Sequence, residues 1–156
     1  HYANDNEDRH FMYRQAIHIV PHQNIESNYQ ASAMVSSMII FNVALAHHLS
    51  ALASKKHQST KFHKAATLYQ LAVNLQHAAQ LESNLIFTMP AVNNLGVIHH
   101  RLEDNKRATA CFQYLLSTVM LLVDRGEAEV CCGELDGFLR NVTNLDSESS
   151  CAAAAA

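Results

Sequence analysis

The chain has 156 residues with 11 Lys and Arg and 14 Asp and Glu, so 16% are charged, well under the quarter usual for a soluble domain. That length suffices for one domain with its own core, four glycines and two prolines are too few for a turn-rich β architecture, and a net charge of −3 gives no basic field for nucleic acid. The charges are also unevenly placed: none lies in 27–54, 65–81, 83–100 or 108–123, and these windows make up half of the chain.

Residues 1–25 form a polar lead followed by Phe11 to Val20, ending at Pro21. This reads as an extended segment lying across helices, ahead of a helical domain over 26–146 and a tail over 147–156. The first charge-free window is long enough for a membrane span, but Asn28, Gln30, Ser37, Asn42, His47 and His48 are costly in hydrocarbon, so no transmembrane span is expected. Its pattern is helical instead. Met34, Met38, Phe41, Leu45, His48 and Leu52 recur at three or four residues, and Val35, Ile39, Val43 and Ala46 form an adjoining stripe. Two stripes predict a helix buried on more than one side.

The second window repeats the pattern with Ala65, Leu68, Tyr69, Ala72, Leu75 and Ala79, and Ser59 or Thr60 is the expected N-cap. Pro90 falls inside the third window, where Leu85, Ile86 and Met89 continue the apolar face and predict a longer helix kinked at the proline. Asp104 is the expected cap of the fourth helix, which carries Ala108, Phe112, Leu115, Leu116 and Val119. A fifth helix is read from about Glu127 to Leu145, with Leu135, Phe138, Leu139 and Val142 on one face. Gly133 and Gly137 weaken it, at about 1 kcal/mol each against alanine, unless they admit a close neighbour.

The chain also repeats internally. Asn42-Val43-Ala44-Leu45-Ala46-His47-His48 aligns with Asn94-Leu95-Gly96-Val97-Ile98-His99-His100, and Lys64-Ala65 to Ala72 aligns with Arg107-Ala108 to Leu115. A helix pair is therefore present twice. Val92, Asn94-Leu95-Gly96 and His99, followed by Ala108, Phe112 and Leu115 with 12 residues from Gly96 to Ala108, resemble the tetratricopeptide (TPR) repeat. The first unit, with Ile40, Asn42, Ala44, His47, Ala65, Tyr69 and Ala72, differs from that pattern by nine extra residues in the turn, and neither unit has the family's closing proline. More narrowly, Phe41 to His48, Asn93 to Gly96, Cys111 to Thr118 and Leu135 to Val142 resemble small TPR-like proteins of unassigned function abundant in diatoms.

The resemblance implies an all-α fold of two antiparallel helix pairs plus a C-terminal capping helix. It also implies a groove along the first helices of each pair that holds another polypeptide, either a peptide segment or part of a complex, with self-association included. The positions it assigns to that groove are Phe41, Asn42, Leu45, His48, Asn93, Asn94, Val97, His100 and Arg101. Small residues are needed at Gly96 and Ala108, where the paired helices cross. Two units are few for such an array, so the N-terminal segment and last helix, or another chain, are expected to complete the core.

Catalytic equipment is sparse. The sequence has no glycine-rich phosphate loop and no Gly-x-Ser-x-Gly, and the acids beside Cys131, Cys132 and Cys151 oppose thiolate formation. Cys111 falls on a packing face, and the four cysteines make no disulfide framework, which favours an intracellular, reducing setting. Neighbouring histidines such as His47-His48 and His99-His100 point about 100° apart on a helix and cannot chelate as pairs. No metal, no cofactor and no enzyme activity are therefore expected, and a metal- or small-molecule-binding bundle built on histidines is the competing class. The insert bearing Lys55, Lys56, Lys61 and Lys64 reads as a basic loop, and Asn141-Val142-Thr143 as a chance glycosylation sequon.

Overall fold

Each charge-free window becomes a helix, since an uncharged stretch of 16 to 28 residues with apolar spacings of three and four is stable once its apolar face packs on another. The computed structural model describes residues 10–18, 29–79, 85–127 and 134–144. Their helices are α1 (Tyr29–Ala53), α2 (Gln58–Ala78), α3 (Leu85–Arg101), α4 (Asn105–Asp124) and α5, helical over 134–144. The protein is all-α, with neighbouring helices packed as antiparallel pairs: α1 on α2, α2 on α3 and α3 on α4. Residues 11–18 carry no helix and cross the faces of α1, α3 and α5.

The pairs meet through side chains that are wholly buried, among them Phe41, Tyr69, Ile98, Phe112 and Leu115. Gly96 on α3 makes the closest approach. A Cβ there would lie 2.7 Å from Phe112 Cε1 and 3.1 Å from Cys111 Cβ, so glycine lets α4 come within ring contact of the α3 backbone. A buried polar relay also ties three helices together: Thr88 Oγ1 donates to Gln76 Oε1 at 2.5 Å, and Gln76 Nε2 donates to Ser37 Oγ at 3.2 Å.

Several expectations are corrected. The stripe of Ile39, Val43 and Ala46 is not buried: Ile39 is 52% and Val43 45% exposed, because α1 is the first helix of the stack and only one of its sides meets α2. The nine extra residues do not form a basic loop. The turn spans only 54–57, holding Lys55 and Lys56, whereas Lys61 and Lys64 lie on α2. There Lys61 Nζ donates to Ser50 O at 3.3 Å and Gln58 Nε2 to Ala51 O at 3.0 Å, satisfying carbonyls at the negative end of α1.

The cap of α2 is His57, in the left-handed region at φ 56° with no side-chain bond, rather than Ser59 or Thr60. Asp104 caps α4 as expected, its carboxylate accepting from Arg107 N at 3.2 Å. Pro90 lies inside α3, which begins at Leu85 as the longer reading requires. Glu127 is outside any helix, and Gly133 and the tail fall beyond the described residues. By length and composition α1 could cross a bilayer, with a mean hydropathy of 1.5 over its most apolar stretch; it packs on α2 and buries Ser37 and His48.

Gly96→Ala gains up to about 1 kcal/mol of helix propensity and incurs overpacking of about 1–3 kcal/mol, so a net loss of about 1–2 kcal/mol is expected in urea denaturation. Adding Phe112→Leu should make the Gly96→Ala step nearly neutral. A stabilised single variant would show that the Phe112 ring yields without strain.

Candidate functional site

Asparagine carries both a carbonyl acceptor and an amide donor, so one side chain can take the N–H and C=O of a single extended residue. Three asparagines on three helices do so here. On α1, Asn42 Oδ1 accepts from Ile17 N and its Nδ2 donates to Ile17 O, both at 2.9 Å. On α3, Asn94 does the same with Tyr13, again at 2.9 Å in both directions. On α5, Asn141 accepts from Phe11 N at 2.6 Å and donates to Phe11 O at 2.7 Å.

Because residues 11 and 13 turn their main-chain groups the same way, the segment is extended between them, with the two-residue period of a strand. It runs from α5 across α3 to α1, opposite to the order of the helices. Asn93 joins two of these asparagines, Asn94 and Asn141, into one network. Its Nδ2 donates to Phe11 O at 2.9 Å and Asn94 Oδ1 at 3.2 Å, and its Oδ1 accepts from Asn141 Nδ2 at 2.7 Å. Asn94 Nδ2 gives its second hydrogen to the Tyr69 hydroxyl at 3.0 Å. Both Asn94 hydrogens and both of its acceptor sites are thus used in a buried setting, where an unpaired group costs about 1–3 kcal/mol. Burial pushes the Tyr69 phenol well above its ordinary range, which keeps it protonated.

The segment's side chains are held as well. Phe11 lies over Gly137, where a Cβ would come within 2.4 Å of Phe11 Cγ, and it meets Phe138 edge-on at 5.5 Å. Tyr13 sits between Phe41 and Phe138, with centroids 6.1 and 6.4 Å away; burial, with a smaller contribution from Glu134, raises its pKa. Met12 is buried, whereas Arg14, Gln15, Ala16 and His18 are exposed. The His10 ring rests on His100 at 4.2 Å and stacks near Phe112 at 5.9 Å.

Of the nine residues expected to line the groove, Phe41, Asn42, Asn93, Asn94 and His100 meet this segment. Leu45 and Val97 belong to the buried core, and Arg101 is half-buried. His48 is a correction: it packs against Phe62 and Tyr69 of α2, at 5.6 and 6.0 Å, because its register on α1 turns it inward. The groove is also not vacant, since the protein's own chain fills it. Asn141 and Gly137 were missed as site residues. The match of Asn141-Val142 to Asn42-Val43 was the available signal, and the buried, twice-bonded Asn141 amide is unavailable for glycosylation in the folded protein.

A second concavity, between α2, α3 and α4, holds His63, Gln70, His99, Asp104 and Arg107. His99 Nδ1 stands 3.9 Å from Asp104, and burial outweighs that carboxylate to lower the His99 pKa. Burial, aided by Asp104, pushes the Cys111 thiol up to about 11. No three His, Cys, Asp or Glu side chains among the described residues are placed to hold a metal ion. No protein-family model matches the chain, and no curated protein or solved structure matches it.

Among the described residues His48 and His99 both titrate below the ordinary histidine range, and His48 is the more deeply buried. Burial, then the positive charges of Arg101 and Arg14, lower the His48 pKa from 6.5 to about 3, and neither ring nitrogen has a hydrogen-bond partner among the described residues. The folded state therefore binds fewer protons than the unfolded one, so the His48 contribution is intact above pH 6.5 and is lost progressively as the pH falls toward 3. Its full extent is on the order of 5 kcal/mol. His48→Leu should be near neutral at pH 7 and should reduce the stability lost between pH 7 and 4.5 by at least 1 kcal/mol in urea titrations. Parallel pH profiles for the variant and the wild type would refute this assignment.

Proposed function

We propose that the protein is a non-catalytic, TPR-like interaction module or assembly subunit that holds an extended polypeptide against α1, α3 and α5. The observation that carries this reading is the triple pairing of Asn42, Asn94 and Asn141 with the main chain of Ile17, Tyr13 and Phe11. Six bonds to backbone atoms grip a chain whatever its side chains are. Selectivity then falls to the aromatic pair, through the space over Gly137 and the rings of Phe41 and Phe138. This division between main-chain affinity and side-chain pockets is general in the recognition of extended peptides.

The repeat register supports the reading, since Asn42 and Asn94 occupy equivalent positions of the two aligned units and both face the segment. Two groups among the described residues support the non-catalytic part. Cys111 stays a thiol, and His48 is neutral and enclosed.

The test uses a labelled peptide of residues 10–18 and the full-length variant Phe11→Ser/Tyr13→Ser, in which the chain's own segment is weakened. Saturable binding of the peptide is expected. Adding Asn42→Ala and Asn94→Ala removes four paired bonds worth about 1 kcal/mol each and should weaken binding at least tenfold. Equal binding with and without the asparagines would dispose of the backbone-grip reading.

A further inference from the structure

The geometry points to exchange of the N-terminal segment between two copies: residues 10–18 of one chain seat in the groove of a second copy and draw the exposed apolar faces of their α1 helices together. This rests on the groove reading proposed above and adds the identity of the occupant in trans. Two observations carry it.

The first is that the grip is transferable. Among the described residues, the hydrogen bonds of Phe11, Tyr13 and Ile17 join backbone atoms of the segment to asparagine side chains of the helices. A second copy supplies the same backbone and the same Phe11 and Tyr13 for the space over Gly137 and beside Phe138, so no contact is lost on exchange. Residues 18–28 join the segment to α1. Eleven residues span at most about 35–40 Å, whereas Asn42 stands thirteen residues along α1 from Tyr29, about 20 Å, so the connection reaches its own groove with length to spare.

The second is the state of α1 where the segment ends. Ile17 seats at Asn42, and α1 is the first helix of the stack, with Ile39 and Val43 uncovered on a surface that has no charge from Ser27 to Ser54. The exposed end of a helical stack is ordinarily polar, and this one carries no charge and exposes Ile39, Val43 and Leu49. A donor chain tied through residues 18–28 has the N-terminus of its α1 within about 40 Å of the acceptor's Asn42, a reach that allows the two uncovered α1 faces to meet. Within one chain the tethered segment competes at an effective concentration of about a millimolar, which keeps dilute protein monomeric and makes exchange favourable when a copy's own segment is disengaged.

The experiment is a complementation between full-length variants. Variant one, Phe11→Ser/Tyr13→Ser, keeps the groove and weakens the hold of its own segment, which loses both aromatic rings but none of its backbone bonds. Variant two, Gly137→Leu/Asn94→Leu, keeps the segment and closes the groove, and Gly137→Ala alone replaces it if its helical circular dichroism falls below that of the wild type. Each alone should sediment as a monomer, and their mixture as a one-to-one dimer. Adding Ile39→Lys/Val43→Lys to both should weaken that dimer at least tenfold and leave binding of the free 10–18 peptide to variant one unchanged. A mixture that stays monomeric while variant one binds the free peptide overturns exchange and leaves the groove reading standing. Failure of variant one to bind the peptide removes both. A dimer indifferent to the α1 lysines overturns the apposition of the α1 faces.

Discussion

The structure depends on one interaction, the capture of an extended main chain by asparagine side chains projected from α1, α3 and α5. A strand outside a sheet leaves its N–H and C=O groups without ladder partners, and burial of such groups is costly. Asn42, Asn94 and Asn141 supply those partners, and Asn93 links two of the three through carboxamide contacts 2.7 and 3.2 Å long. A network of this kind is worth having only when every member is satisfied, and Asn94 uses its full capacity. The segment and the helices therefore stabilise each other: without the chain the carboxamides lose their partners, and without the helices the chain has no fold.

Helix packing makes that arrangement possible. Alternation of α1, α2, α3 and α4 leaves α1 and α3 on one side of the stack, and α5 adds a third helix to that side. Asparagines at equivalent positions along these helices then fall in a row. Gly96 serves the pairing by admitting Phe112 against α3, and Gly137 serves the groove by admitting Phe11 against α5. Each glycine gives up helix propensity for a contact that a Cβ would block. The absence of charge in the windows has the same origin, since both faces of α3 are occupied and Thr88 to Ile98 are buried without exception.

Much of this was legible in the chain. The charge-free windows marked α1 to α4, the internal repeat put Asn42 and Asn94 in register, and the residues from Phe11 onward, between a polar lead and Pro21, read as an extended segment over the helices. Other features were hidden because their signals are not local. Lys61 and Lys64 looked like loop residues, since a basic run without apolar spacing resembles a turn; only the packing of Phe62 and Ala65 against α1 extends α2 through them. Ile39 and Val43 looked like core, since apolar spacing does not reveal which helix ends the stack. His48 looked like a groove residue because a repeat alignment assigns a position along the helix, and its neighbours Phe62 and Tyr69 decide which way it faces.

The sequence by itself determined that this protein is helical, paired and repetitive, with asparagine recurring at one register, because periodicity and charge exclusion act within each helix. The tertiary structure alone decided that a third asparagine, Asn141, joins that row and that the chain's own residues 11–17 fill the groove. The physical reason is distance along the chain. Phe11 and Asn141 are 130 residues apart, and no local pattern records a bond that exists only once five helices have set both ends of the chain side by side.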